Sequence, residues 1–159
     1  MSSPSRRRTD LRPAHALFGP TPGALSPVDR AAFLRSLELA LESARRERRS
    51  LTLVVVDLGP NAGDAVLARS ARLVRNTIRE SDGVWRTGAR SLAVLLQDAD
   101  GPTAEPAVAR LRLRLKADGA AAGRVGRATA APGIAPEELM GLAEADCRPL
   151  VPQAASGSS

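Results

Sequence analysis

VWRTGARSLAVLL, residues 84–96, holds two strand-forming runs around one tight polar connection. Val84-Trp85-Arg86 leads into Thr87-Gly88-Ala89-Arg90, and Ser91 to Leu96 returns as an apolar run. This reads as a β-hairpin. Upstream, LTLVVVD (51–57) is a short, β-branched, apolar run that ends on Asp57. A run apolar on both faces is a buried strand. Gly59-Pro60-Asn61 breaks it. Between this strand and the hairpin, Leu67, Ala71, Val74 and Ile78 fall at helical spacing, with Arg69, Arg72, Arg75 and Arg79 mostly on the opposite face.

Working outward, Ser26-Pro27 starts a helix that turns Phe33, Leu37, Leu41 and Ala44 inward and ends in RRERR (45–49). After the hairpin, a helix over roughly 103–117 buries Val108, Leu111 and Leu115. A weak strand follows over 124–130, then a helix from Pro136 carrying Leu139, Leu142 and Ala143. The order is helix, βαββαβ, helix. That is a ferredoxin-like α+β sandwich of the α/β class, a sheet covered by helices. The expected domain spans 26–148. Residues 1–25, rich in Ser, Pro, Arg and Gly, and residues 149–159 are expected to be disordered tails.

Composition narrows the chemistry. Cys147 and His15 stand alone, so disulfides, multi-cysteine metal sites and ordinary His-based catalysis are not expected. No apolar run is long enough to span a bilayer, and MSSPSRRRTD lacks the apolar stretch expected of a signal peptide. A cytoplasmic protein without a membrane partner is expected. The formal charge of +6 rests on 22 arginines and Lys116 alone. It suits anionic partners, and it equally suits a GC-rich coding bias.

The pieces resemble the GGDEF family of bacterial diguanylate cyclases, from about residue 26 to about 147. Asp29-Arg30 stands where the family has Asn-Arg, and Asp57 where the first strand ends in a metal-binding aspartate. Gly63-Asp64 opens the next helix, and RVGRAT (124–129) resembles the SIGVAT strand. The final alanine- and aspartate-rich helix is reduced to AEADC (143–147). The family's RxGGDEFAVLL hairpin is RTGARSLAVLL here, so only Gly88 of the signature survives.

The resemblance implies a domain that does not make cyclic di-GMP. Joining two GTP molecules needs metal ions held by carboxylates. Arg90 occupies the second carboxylate position, and Ala89 replaces a glycine required for close approach to a nucleotide. LGPNA (58–62) stands where the family carries a longer substrate loop. No catalytic residue, metal or cofactor is expected. Asp64 reads as a carboxylate at a helix N-terminus, and Asp57 is expected to pair locally with Arg90.

The resemblance also implies a product-binding site. Its RxxD mark ends six residues before the signature, and Arg79-Glu80-Ser81-Asp82 has that register with Gly88. Arginine can donate to guanine O6 and N7, and aspartate can accept from the guanine N–H edge. Arg86 suits the phosphates, and Arg110 falls where the family places a further arginine. The candidate site for cyclic di-GMP is therefore Arg79, Asp82, Arg86 and Arg110, in a receptor that acts on an effector or through a ligand-linked homodimer. A protein-interaction scaffold and a basic nucleic-acid binder are the rival readings. The chain has few aromatics for base stacking, which disfavours the second. A second RxxD, Arg7 to Asp10, lies in the N-terminal tail.

Overall fold

The computed structural model describes residues 30–118, 120 and 122–151. The expected tail 1–25 and the helix start at Ser26-Pro27 lie outside these residues, as do 152–159. The elements are α1 (Arg30–Glu47), β1 (Leu51–Asp57), α2 (Asp64–Thr77), β2 (Gly83–Gly88), β3 (Ser91–Gln97), α3 (Gly101–Ala117), β4 (Arg124–Thr129), α4 (Pro136–Ala145) and β5 (Arg148–Pro149). Each strand and helix expected between 30 and 145 is present.

The sheet order is β2-β3-β1-β4-β5, antiparallel throughout. Two βαβ crossovers interlock, since α2 links β1 to β2 across β3, and α3 links β3 to β4 across β1. β1 is central, and alternation sends its side chains to two cores. Val54, Val56 and Leu58 join Leu67, Ala71 and Val74 of α2 and Leu111 and Leu115 of α3. Leu51, Leu53 and Val55 join Phe33 and Leu37 of α1 and Leu139 and Met140 of α4. Both faces are thus covered, which explains the unbroken apolar run in β1.

Two local features set the spacing of these layers. Gly126 of β4 lies so close to the end of α4 that an added Cβ would stand 2.3 Å from the Ala143 carbonyl oxygen. Trp85 packs on Phe33 with ring centroids 5.2 Å apart at 59°, a tilted contact. Trp85 therefore points away from the α2/α3 side, and its neighbour Arg86 points toward it.

The C-terminal boundary needs correction. Arg148 and Pro149 pair with β4 as β5, and Leu150 is buried in the α2/α3 core. Arg112 of α3 donates to the carbonyl oxygens of Val125 (3.1 Å) and Pro149 (2.8 Å), so it clamps β5 to β4. A two-residue strand has no period for a sequence reading to find.

Candidate functional site at the turn between α2 and β2

The turn is built around Asp82. Its side chain is only 2% exposed. Oδ1 accepts from the Gln97 N–H (2.8 Å) and from Arg79 Nη2 (3.3 Å). Oδ2 accepts from the Arg79 N–H (3.0 Å) and Arg79 Nε (3.3 Å). Four donors fill the acceptor sites of a carboxylate. Asp82 thus ties the end of α2 to the end of β3, and no lone pair is left for a guanine N–H edge. In this geometry Asp82 faces Arg79 and Gln97, so a direct contact with a ligand would require the Arg79 side chain to turn aside.

Arg79 is the exposed half of the pair, at 58%. Nε and one Nη2 hydrogen face Asp82, and Nη2 also donates to the Gln97 carbonyl oxygen. Nη1 has no hydrogen-bond partner among the described residues. The guanidinium is therefore fixed in plane and offers solvent one amino group and a flat face.

The helical spacing puts Arg75 on the outer face of α2, and its role there is more specific. It donates through Nη1 to the Asp82 carbonyl oxygen (2.7 Å) and through Nη2 to that of Arg79. A cation in the last turn of a helix satisfies carbonyls that the helix leaves unpaired. The signal in the sequence is its place just before the turn.

The four candidate residues do not form one cluster. Arg86 is 14% exposed and pairs with Asp64 Oδ1 (3.3 Å) in the first turn of α2, the end opposite Arg79. Asp64 thus has a structural partner, beyond its favourable place at a helix N-terminus. Arg110 lies on the side of Arg79. Arg69 pairs with Asp118 (3.0 Å) and Arg114 donates to Thr77 Oγ1 (3.3 Å), so α3 runs antiparallel beside α2. Arg110, one turn before Arg114, is exposed and lies toward the end of α2 that carries Arg79. Its side chain makes no hydrogen bond among the described residues.

The hairpin tip and the end of β1 form a second locus. Asp57 sits beside Ser91 and Arg124 in the sheet register. Its Oδ1 accepts from the Gly59 N–H (2.9 Å), which closes the turn after β1. Gly59 has φ +96°, a conformation that suits glycine. No ion pair joins Asp57 to Arg90 among the described residues. The hairpin meets this turn through its backbone instead, Leu58 N–H donating to the Arg90 carbonyl oxygen (2.9 Å). Leu58 is buried, so the short connection is folded into the core. These residues do not suit a magnesium ion: one carboxylate is engaged, and the neighbouring position carries a guanidinium. Among the described residues, no three His, Cys, Asp or Glu side chains converge on a metal position.

Sequence comparison matches residues 28–144 to the family described as "Diguanylate cyclase, GGDEF domain". The chain belongs to the GGDEF family. Among curated relatives, diguanylate cyclase TpbB of Pseudomonas aeruginosa is 38% identical over 78 residues, a match covering 43% of this chain and 18% of TpbB. The solved GGDEF domain of that protein superimposes with a TM-score of 0.63 at 29% identity, covering 75% of this chain and 81% of the other. The GGDEF domain of DgcB from Caulobacter crescentus, solved in complex with c-di-GMP, gives 0.63 at 18% identity, covering 73% and 80%. SiaD of Pseudomonas aeruginosa, solved with its activator SiaC, gives 0.69 at 22% identity, covering 91% and 62%. The last two likenesses concern the fold alone.

Proposed function

We propose that this GGDEF domain is non-catalytic and binds cyclic di-GMP at the turn between α2 and β2. The observation that carries the reading is the Arg79 guanidinium, exposed yet held in plane by buried Asp82. A side chain already fixed loses little rotamer freedom on binding. Its face can stack on a purine, and Nη1 can donate to guanine O6 or N7, or to a phosphate oxygen. Arg110 supplies a second cation on the same side. Asp82 acts through Arg79, as a positioning residue. Arg86 joins the site only by leaving Asp64. The DgcB complex with c-di-GMP supports the ligand class.

Loss of catalysis rests on Arg90 at a metal-ligand position, on the engaged Asp57 carboxylate, and on the short connection through Leu58. Incubation with GTP and Mg²⁺ or Mn²⁺ is expected to yield no cyclic di-GMP above a protein-free control. Product that disappears in Asp57→Ala contradicts this. Calorimetric titration with cyclic di-GMP, with GTP as the control, tests the receptor role. Saturable binding of the cyclic dinucleotide alone is expected. No binding of either nucleotide leaves a second reading, a protein-interaction scaffold. The saturation of Asp82 favours that reading, as does the assembly of SiaD with a protein activator.

A further inference from the structure

The two helical layers carry different charge. α2 and α3 hold seven Arg and Lys against two Asp and Glu. α1 and α4 hold four against six. The sheet between them makes the molecule electrically two-sided. On the basic side Arg69 and Arg114 are engaged along the helix seam. The Arg72 and Lys116 side chains are exposed and make no hydrogen bond or ion pair among the described residues. Beside Lys116 stands Leu113, 68% exposed on the outer surface of α3.

We propose that the α2/α3 face docks on an anionic lipid membrane, with α1 and α4 turned away. Charge complementarity selects a polyanion, because each cation near an anionic bilayer is drawn to its negative surface potential. Leu113 among these cations fits the boundary between headgroups and acyl chains, and because Leu39 of α1 and Leu142 of α4 are exposed too, it is charge that chooses the face. Phe33 and Trp85 are buried, so they offer no platform for base stacking. No helix among the described residues is long and apolar enough to cross a membrane. That bears on insertion and leaves adsorption open, so the expectation of no membrane partner is revised here for a surface contact. The inference does not depend on cyclic di-GMP binding, because Arg79 and Arg110 are left intact in its test.

The full chain is sedimented with phosphatidylcholine vesicles containing about one-third phosphatidylglycerol, and with pure phosphatidylcholine, at ~0.1 M and ~0.5 M salt. Binding is expected only to the anionic vesicles and only at the lower salt. Arg72→Glu with Lys116→Glu should weaken it about tenfold or more. Leu113→Asp should weaken it as well. Arg35→Glu with Arg46→Glu changes net charge equally on α1 and should leave binding within about twofold. Equal losses from the two charge-reversed pairs would overturn the proposal, as would loss only when Arg6, Arg7 and Arg8 are each changed to Glu. Absence of wild-type binding, or tighter retention of duplex DNA than of vesicles, would overturn it too.

Discussion

Asp82→Ala separates the structural half of the RxxD turn from its exposed half. The substitution removes the acceptor of two backbone N–H groups, Gln97 at 2.8 Å and Arg79 at 3.0 Å, and releases the Arg79 guanidinium. A donor left unsatisfied in a buried site costs about 1–3 kcal/mol. The Arg79 N–H, at a more exposed residue, regains water and loses only about 0.5–1.5 kcal/mol. The total is about 1.5–4.5 kcal/mol, which for a domain of this size lowers Tm by roughly 6–18 °C. Urea unfolding followed by fluorescence of Trp85, 5% exposed in the native state, measures the change. Arg79→Ala is the comparator. Its side chain is largely exposed, so its half of the pair should contribute less than about 1 kcal/mol. If Asp82→Ala unfolds within about 0.5 kcal/mol of the wild type, the carboxylate is not a structural tie and is free to serve a ligand directly.

Three further outcomes follow from the packing and the ionisable groups. Gly126→Ala should lower stability by about 1–3 kcal/mol in the same urea experiment, because its Cβ would meet the Ala143 carbonyl and α4 must shift. Burial pushes the Cys147 thiol above its ordinary range, against the attraction of Arg124, so thiolate is scarce at pH 8. Alkylation should be slow in the native protein and rise sharply in denaturing urea. Asp100 caps α3 by accepting from the Thr103 N–H (2.9 Å), and that hydrogen bond holds its carboxyl below the usual range. A depressed folded-state value means stability present at neutral pH and lost as the pH falls through it. Asp100→Asn should flatten that part of the acid limb in a stability–pH series.

The strands and helices were readable because their apolar periods match their burial. LTLVVVD announces a strand covered on both faces, and the hairpin announces its own turn. The ferredoxin-like order follows from the alternation of these elements. Charged partners were harder to read, because residue type does not say which side chain turns inward. Asp82 resembles an exposed helix end in sequence, yet tertiary contact with Gln97 buries it. Arg86 lies four residues beyond Asp82 in the sequence, but its strand carries it to Asp64 at the far end of α2. Asp57 lies across from Ser91, one residue past Arg90, yet the short turn at Gly59 engages its carboxylate. β5 escaped for the opposite reason: two residues carry no pattern, and the clamp by Arg112 is visible only in the fold.

The central claim, recognition of cyclic di-GMP by a pre-positioned Arg79, is tested most directly by one calorimetric comparison. Cyclic di-GMP is titrated into the wild-type chain and into Arg79→Ala, whose folding is checked by its urea midpoint. The account predicts saturable wild-type binding and a loss of about fivefold to over a hundredfold in the variant, the range for an arginine that reads a guanine edge. Equal affinity in the two proteins, or no wild-type binding at all, would contradict it.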